Sequence, residues 1–307
     1  MDLVIGIDGG GSKTQAVVAD LGGRILGRGK AGASNYQGVG LAAAQVAIDR
    51  AIESAFADAG LPQEGVRAAC LGLAGVGRAD DRAVFDDWIR KRLPGAAFRV
   101  ANDAELVLAA GSNAGWGLAV IAGTGSIASG RNPAGSVGRA GGWGPLLGDE
   151  GSGYAIGRSA LRAAVSSHDG RISSTALLPA ILAHWGLADV TGLIAKAYRP
   201  PLSPSSIAEL AVLVENAAEE GDAVASAILA EAGNDLAMMA DAVARGLGLK
   251  GELPCAVAGS VLVKGRKVRE AFEGGLVAAG VTPTPLVHVE ESALGAVRLA
   301  RELLAGA

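Results

Sequence analysis

A duplicated α/β fold, in which helices cover two mixed sheets, is predicted by a repeated order of apolar runs and by the glycine turns between them. Each half of the chain opens with a strand, a glycine turn and a second strand, and the turns fall at 9–11 and 123–126. The repetition predicts two lobes, residues 1–114 and 115–290, and a terminal helix over about 291–307 that packs back on the first lobe.

The first lobe begins with three short strands. The runs at 3–8, 15–20 and 25–31 are apolar or alternating and are separated by glycines, which predicts an antiparallel meander. Apolar positions three or four apart predict a helix over 41–59, and the uninterrupted apolar run 68–74 predicts a buried strand. The elements predicted after these are a helix at 80–93, a strand at 98–101 and an apolar helix after Asp103.

The second lobe repeats the opening and then becomes mostly helical. Apolar runs bounded by glycine or proline predict its strands, and helical periodicity predicts its helices. The predicted strands are 118–121, 127–130, 136–140, 254–258 and 286–289, and the predicted helices are 154–165, 175–185, 207–220, 223–247 and 267–279. A helix at 292–304, the terminal helix named above, closes the chain.

Composition and charge exclude several classes of protein. Hydrophobic residues form 50% and charged residues 19% of the 307 residues, which is enough for sizeable cores. The net charge is −4 and no basic cluster is interleaved with aromatic residues, so nucleic acid is not an expected partner. Neither a long apolar span nor a secretory signal is recognisable, so no membrane contact and a cytoplasmic location are expected.

The cysteines and histidines give no sign of a metal site. Cys70 and Cys255 each lie in an apolar, strand-like run, which predicts two buried thiols and no disulfide framework. His168, His184 and His288 are scattered without the paired spacing of a zinc site, so solvent or core positions are expected for them.

The first glycine turn is a candidate phosphate site. Segment 8–14 (DGGGSKT) lacks the glycine directly before lysine and the following helix that a strict P-loop requires. Backbone N–H groups of a glycine turn can nevertheless point at a phosphate, with hydroxyl donors from Ser12 and Thr14 and charge from Lys13. The alternative is an ordinary glycine hairpin.

The second glycine turn makes the first more informative. Segment 123–128 (GTGSIA) fits the dinucleotide pattern G-x-G-x-x-A, but that pattern must open a helix, and the glycines at 130 and 135 argue against one. Two such turns, each after the first strand of a repeated unit, would face each other across an interdomain cleft and hold a triphosphate from both sides.

Two aspartates end strands near these turns. Asp8 ends the first strand, where a carboxylate can hold Mg²⁺ through water. Asp103 follows the strand at 98–101 and could accept a proton from an attacking hydroxyl. The alternative for Asp103 is a helix N-cap only.

Segment 141–153 (GGWGPLLGDEGSG) is a candidate sugar site. Its glycines expose backbone polar groups, Trp143 offers a flat apolar face, and Asp149 and Glu150 offer acceptors, a mixture that suits a sugar ring. The alternative is a structural turn in which Trp143 fills a core. At the end of a late strand, Gly259 and Ser260 could let an adenine or ribose lie close to the backbone.

With these residues in view, the chain resembles the N-acetylglucosamine and glucosamine kinases of the BadF/BadG/BcrA/BcrD ATPase family, within the actin-like ATPase superfamily. The resemblance spans nearly the whole length. It is carried by segments 6–14, 34–35, 102–104, 123–126, 141–152 and 258–260.

The resemblance implies a two-lobed ribonuclease-H-like fold with ATP and sugar in the interdomain cleft, and a homodimer. It implies Asp103 as the base for the sugar 6-hydroxyl. Ala218 resembles the family's adenine-packing position. The implied sugar contacts are Asn35, Asp103, Gly142, Trp143, Gly144 and Asp149. The implied ATP contacts are Ser12, Thr124, Ala218, Gly259 and Ser260. The other expected ATP contacts are members of the two glycine turns: Gly10, Gly11, Lys13, Thr14, Gly123 and Gly125.

Three alternatives share this fold. An activator ATPase, which couples hydrolysis to electron transfer, holds an iron-sulfur cluster through paired cysteines, and Cys70 and Cys255 fit that poorly. A sugar-sensing regulator is expected to carry a helix-turn-helix, and a repressor-type sugar kinase a Cys/His zinc segment. The sequence does not rank N-acetylglucosamine above glucosamine, N-acetylmannosamine or N-acetylmuramic acid as substrate.

Overall fold

The computed structural model describes residues 1–76, 79–200 and 202–305, and within them the predicted α/β fold is confirmed. The chain divides into two compact units. The first comprises Met1–Ala119 with Val289–Ala307, and the second comprises Val120–His288. Among the described residues, no helix combines the length and the apolarity needed to cross a membrane.

The two five-stranded sheets carry their strands in the same order. The strands are β1 (Leu3–Gly9), β2 (Thr14–Asp20), β3 (Ile25–Ala31), β4 (Val66–Leu73), β5 (Ala97–Asn102), β6 (Gly117–Ala122), β7 (Ser126–Arg131), β8 (Val137–Gly141), β9 (Gly251–Ala258) and β10 (Val281–Val289). The first sheet has the order β3-β2-β1-β4-β5, and the second has the order β8-β7-β6-β9-β10. β1 is the central strand of the first sheet, and β6, the first strand of the second sheet along the chain, is the central strand of that sheet. The duplication predicted from the sequence is therefore confirmed.

Thirteen helices surround these sheets in the described part of the chain. They are α1 (Tyr36–Val39), α2 (Leu41–Ala59), α3 (Ala79–Arg92), α4 (Asp103–Gly111), α5 (Gly153–His168), α6 (Leu177–Trp185), α7 (Gly192–Tyr198), α8 (Pro204–Ala208), α9 (Ala211–Glu219), α10 (Ala223–Gly246), α11 (Ser260–Lys264), α12 (Arg266–Ala278) and α13 (Ala293–Ala305). The short helices α1, α7 and α11 are absent from the sequence prediction.

The prediction of one helix over 207–220 is wrong, because two helices occupy this segment. The Leu210 N–H donates to the Ile207 carbonyl at 3.1 Å, which is the tighter bonding of a 3₁₀ turn. Leu210 is fully buried at this turn, so packing of its side chain accompanies the break between α8 and α9.

The first sheet is buried on both faces. Leu3, Ile5 and Ile7 of β1 pack in a core that α2 and α3 complete, while Val4 packs in a second core on the other face, completed by α4 and α13. Alternate residues of a strand point to opposite faces, so an apolar run without polar interruptions is what a sheet covered on both sides requires.

β10 is longer than predicted. The sequence predicts a strand over 286–289 only, because Pro283 and Pro285 lack the N–H that a sheet ladder uses. In the structure β10 begins at Val281 and is the edge strand of the second sheet. One side of an edge strand needs no donors, so prolines are tolerated there.

Candidate active site

Asp8 and Asp103 lie at the same edge of the first sheet. β1 runs parallel to β4, with Asp8 opposite Gly72, and β4 runs parallel to β5, with Leu73 opposite Asn102. Parallel strands end at one edge, so the carboxylate of Asp8 and that of Asp103, which follows β5 directly, are brought together. The negative charge of Asp103 is one of the influences that raise the Asp8 pKa.

Both carboxyl groups are poised to exchange a proton near neutral pH. Burial is the main reason that the Asp8 pKa is raised to about 7, and Asp103 adds to it, while Lys13 and a hydrogen bond from Ser292 act in the opposite direction. Burial also raises the pKa of Asp103 to about 6, against the lowering effect of the Ala104 backbone N–H. A carboxylate with such a pKa is a stronger base than one in water.

The first glycine turn joins β1 to β2 and also holds the segment that carries Asn35. The Gly10 N–H donates to the Lys13 carbonyl at 2.9 Å, which closes the turn. The Gly10 carbonyl accepts from the backbone N–H groups of Ser34, at 3.0 Å, and Asn35, at 3.2 Å. Two predicted binding segments, 10–14 and 34–35, are therefore adjacent in the first unit.

Thr14 supports this turn from inside the unit. Its side chain is fully buried, and its hydroxyl lies 2.7 Å from the Gly32 carbonyl and 2.8 Å from the Ser34 hydroxyl. Gly11, Ser12 and Lys13, by contrast, are exposed. The hydroxyl of Thr14, which the sequence assigns to a phosphate, is thus engaged with the segment that carries Asn35.

The N-cap alternative for Asp103 is wrong, because Asn102 is the N-cap of α4. The Asn102 side chain accepts from the Ala104 N–H at 3.0 Å, and the Glu105 side chain accepts from the Asn102 N–H at 3.1 Å, which completes a capping box. Asp103 is the first residue of the helix and remains half-buried. The requirement for a cap therefore does not account for its carboxylate.

The second glycine turn joins β6 to β7 rather than opening a helix, as the sequence predicts. The Gly123 N–H donates to the Gly125 carbonyl at 2.9 Å. The start of α5 braces the turn, because Gly153 N–H donates to the Gly123 carbonyl at 2.8 Å and Tyr154 N–H donates to the Thr124 carbonyl at 3.2 Å.

Asp149 contacts this second turn. Its Oδ1 accepts from the Ser126 N–H at 3.2 Å, and a Cβ on Gly125 would lie only 2.9 Å from the same oxygen. Asp149 is 7% exposed and has a φ of 64°, a left-handed conformation that is uncommon for a residue with a side chain. The sequence assigns Asp149 to the sugar; the link to Ser126, 23 residues away, has no local sequence signal.

Trp143 is exposed beside the same turn. Its side chain is 55% exposed, so the alternative that it fills a core is wrong. The Arg139 guanidinium lies 5.0 Å from the ring centroid, and the N–H of Gly142 donates to the Ser126 carbonyl at 3.0 Å. An exposed indole beside Gly144, on a segment fixed to the turn, can stack on the apolar face of a sugar.

Gly259 also packs against the second turn. Its φ is 87° and its ψ is 152°, and a Cβ there would overlap backbone atoms of Ala122 and Gly123. Ser260 is exposed at the start of α11. Ala218 is on α9 with only 2% of its side chain exposed, so it packs inside the second unit.

The thiols and imidazoles lie where the sequence places them. Cys70 on β4 and Cys255 on β9 are buried, and burial is the main reason that the pKa of each thiol is raised to about 12. His168, His184 and His288 are exposed.

The residues at the first sheet edge suit Mg²⁺ bound together with phosphates. Among the described residues, no group of three or more His, Cys, Asp or Glu side chains is arranged to hold a metal ion by itself. Mg²⁺ usually takes only one or two carboxylates and completes its shell with water and phosphate oxygens. Asp8 fits this chemistry, because a bound cation would offset the cost of burying the carboxylate and its repulsion from Asp103, the two effects that raise its pKa.

Asp8→Asn should stabilise the ligand-free protein at pH 8. The folded pKa of about 7 exceeds the ordinary value of 3.8, so the folded chain holds an extra proton between these pH values. The free energy of unfolding of the parent therefore falls as pH rises through this window. Asparagine does not ionise, so the Asp8→Asn protein does not lose this stability. The difference of about three pKa units corresponds to a gain of up to about 4 kcal/mol at pH 8, which shrinks to less than about 1 kcal/mol near pH 4, measured by urea unfolding.

Asp20→Asn is the matched control in the same unit. Hydrogen bonding from the Arg24 backbone lowers the Asp20 pKa, so this carboxylate stabilises the fold at pH 8 and loses that effect as pH falls through its folded pKa. Its replacement should destabilise at pH 8. Equal signs for the two variants would contradict the electrostatic assignment of Asp8.

The chain is similar to known proteins over nearly its whole length. Residues 5–300 match the model of the BadF/BadG/BcrA/BcrD ATPase family. The N-acetylmuramic acid/N-acetylglucosamine kinase of Clostridium acetobutylicum is 35% identical over 98% of this chain and 99% of its own length. The N-acetyl-D-glucosamine kinase of Dictyostelium discoideum is 36% identical over 82% of each chain.

Solved structures extend the comparison. A candidate N-acetylglucosamine kinase from Chromobacterium violaceum is 32% identical, with a TM-score of 0.79 over 98% of this chain and 99% of its own. A ROK family glucokinase from Streptomyces griseus, in complex with glucose and AMPPNP, has a TM-score of 0.62 at 21% identity over 98% and 99% of the two chains, and shares the fold. The family match and the full-length relatives lead to one conclusion: the chain belongs to the BadF/BadG/BcrA/BcrD ATPase family.

Proposed function

We propose that this protein is an ATP-dependent kinase that phosphorylates an amino sugar, N-acetylglucosamine or glucosamine, on the 6-hydroxyl. The observation that carries the proposal is Asp103, a half-buried carboxylate with a pKa raised to about 6, beside Asp8 at the sheet edge. The names of the two relatives, which match over 98% and 82% of this chain, support the same chemistry.

Asp103 acts as the general base. As the sugar 6-oxygen bonds to the γ-phosphorus of ATP, its proton passes to the Asp103 carboxylate. The bond from the γ-phosphorus to the bridging oxygen breaks, and ADP leaves with that oxygen. In a loose phosphoryl-transfer transition state the proton moves late, so a base with a pKa near 6 is strong enough.

The glycine turns and Asp8 serve the nucleotide. Backbone N–H groups at 11–13 and 124–125 bind phosphate oxygens, with charge from Lys13. The N–H groups of Gly10 and Gly123 instead close the two turns. Gly259 and Ser260 contact the adenosine side. Asp8 would hold Mg²⁺, an ion that usually takes only one or two protein carboxylates, and when bound the ion would neutralise charge on the phosphates. Ala218 would pack behind the adenine from within the second unit.

The sugar contacts come from the segments that these turns hold. Asn35 is fixed by the Gly10 carbonyl, and the 142–144 segment is fixed by the Ser126 carbonyl. Trp143 stacks on the ring of the sugar, and Asp149 accepts from a sugar hydroxyl through the oxygen that does not bind Ser126. A homodimer remains a prediction of the resemblance, and a cytoplasmic location remains a prediction from the sequence.

The activator-ATPase alternative is less well supported. It needs cysteines that can reach a cluster, whereas Cys70 and Cys255 are 0% and 1% exposed on strands of different units. A thiol with a pKa raised by burial is also a poor metal ligand, because the thiolate is the form that binds.

The position of transfer tests the proposal. The protein is incubated with Mg-ATP and N-acetylglucosamine, or with its 6-deoxy analogue as the matched control, and the product is identified by phosphorus NMR. A phosphomonoester on O6 that is missing with the 6-deoxy sugar is expected. Phosphate at another oxygen, or equal turnover of the analogue, would show that the proposed acceptor is wrong.

A further inference from the structure

Glu105 accepts hydrogen bonds from three donors, which lie on α3 and β5. Its Oε1 accepts from the Asn102 N–H at 3.1 Å and from the Arg82 guanidinium of α3 at 3.0 Å. Its Oε2 accepts from the Arg99 guanidinium of β5. The carboxylate is therefore shared by α3, β5 and the junction at which α4 begins.

This junction determines where the Asp103 carboxylate lies. Asn102 and Glu105 form the capping box of α4, and Asp103 is the residue between them that opens the helix. A capping box satisfies free N–H groups on both sides of the first helical residue, so the chain is hydrogen-bonded immediately before and after Asp103. Arg82 and Arg99 in turn fix the Glu105 side chain, because charged hydrogen bonds are stronger than neutral ones.

The position of Arg82 on α3 lowers the stability of the fold, because one of its nitrogens is buried without a hydrogen-bond partner in the described part of the chain. The Nε of Arg82 is buried and finds no hydrogen-bond acceptor among the described residues. An unpaired buried N–H destabilises a fold. The contact of Arg82 with Glu105 is therefore poorly explained by stability alone, whereas a requirement for fixed geometry at Asp103 explains it.

We propose that Glu105 is a positioning residue for the reaction, which orients Asp103 through the capping box and is itself held by Arg82 and Arg99. The inference rests on the proposed function, since it takes Asp103 as the base. It assigns no contact with ATP or sugar to Glu105, so its removal should lower kcat without weakening ATP binding.

Two substitutions separate the parts of this arrangement. Glu105→Ala removes both the cap and the ion pairs, and a misplacement of about 1 Å can cost up to about a hundredfold, so we expect kcat to fall about tenfold or more. The KM for ATP should stay within about twofold of the parent value, because Glu105 makes no contact with ATP and its loss leaves the binding of ATP in the ground state unchanged. Glu105→Gln keeps an acceptor for the Asn102 N–H, and should restore kcat to within about threefold of the parent.

Asp49→Ala is the matched control. Asp49 accepts from Arg92 in the same unit, in a partly buried ion pair away from the sheet edge. Its loss should lower Tm by an amount similar to Glu105→Ala and leave kcat unchanged.

Arg82→Met provides a second test, which remains valid if Glu105→Ala fails to fold. This substitution removes the buried, unpaired Nε and also one of the two ion pairs of Glu105. We expect Arg82→Met to keep or raise Tm and yet to lower kcat.

The decisive experiment measures steady-state kinetics and amide hydrogen exchange over 102–107 for the parent and all four variants. Faster exchange and lower kcat in Glu105→Ala, with both restored in Glu105→Gln, support the assignment. It is overturned if Glu105→Ala matches Asp49→Ala in kcat, if the KM for ATP rises with the loss, or if exchange is unchanged. A parent protein without sugar-dependent turnover would refute the proposed function instead, and the exchange data would still decide whether Glu105 orders this junction.

Discussion

Replacing Asp103 by asparagine should lower kcat by at least about a hundredfold, because general-base catalysis contributes about 10²–10⁴ and an amide cannot accept the proton. The fold should survive, since Asn102, not Asp103, is the N-cap of α4. Steady-state kinetics with saturating ATP and sugar, together with a thermal unfolding curve, measure both quantities.

The pH dependence of the parent activity is a second test of Asp103 as the general base. With a pKa raised to about 6 by burial, Asp103 is protonated and inactive below that pH, so kcat/KM should fall on the acid side of about pH 6. Asp49→Asn, which leaves the sheet edge untouched, should keep both the rate and this acid limb. Near-normal turnover of a folded Asp103→Asn protein would remove Asp103 from the role of base.

Gly259→Ala should destabilise the second unit by about 2–6 kcal/mol, the sum of two penalties. A side chain at a φ of 87° and a ψ of 152° occupies a region that is essentially restricted to glycine, which costs about 1–3 kcal/mol. The Cβ would also lie 2.8 Å from the Gly123 nitrogen and closer still to Ala122, and overpacking of this kind costs about 1–3 kcal/mol more.

Gly40→Ala separates the two penalties. Gly40 has nearly the same conformation, with a φ of 81° and a ψ of 156°, but a Cβ there would meet nothing within 4 Å. Only the first penalty applies, so urea unfolding should show a loss of about half the size. Gly259→Ala should also raise the KM for ATP, because the second turn must move. Equal losses in the two variants would mean that Gly259 does not press on the turn.

The sequence is sufficient for elements that are determined locally. The helix predicted over 41–59 is α2 (Leu41–Ala59), since its apolar spacing and flanking glycines specify both the face and the ends. The strand at 3–8 differs from β1 by one residue. β10 is underestimated because only the sheet order, a tertiary property, makes it an edge strand on which prolines are tolerated.

The site is predicted in part for the same reason. The glycine turns and the strand-end aspartates follow local patterns, and the structure brings Asp8 and Asp103 to one edge. The Asn102-x-x-Glu105 spacing is a capping-box signal that would have identified the cap in advance. The contacts of Asp149 with Ser126 and of Thr14 with Ser34 join residues 23 and 20 positions apart, and local patterns carry no information about them.

Sugar-dependent release of ADP tests the proposed kinase activity most directly. A coupled assay with Mg-ATP is run against a panel of hexoses and 2-amino sugars, beside a blank without sugar and the Asp103→Asn variant. Saturable turnover with N-acetylglucosamine or glucosamine, absent from the blank and lowered at least about a hundredfold in the variant, is the expected result. Hydrolysis of ATP at the same rate with and without every sugar would contradict it and would favour an activator-type ATPase.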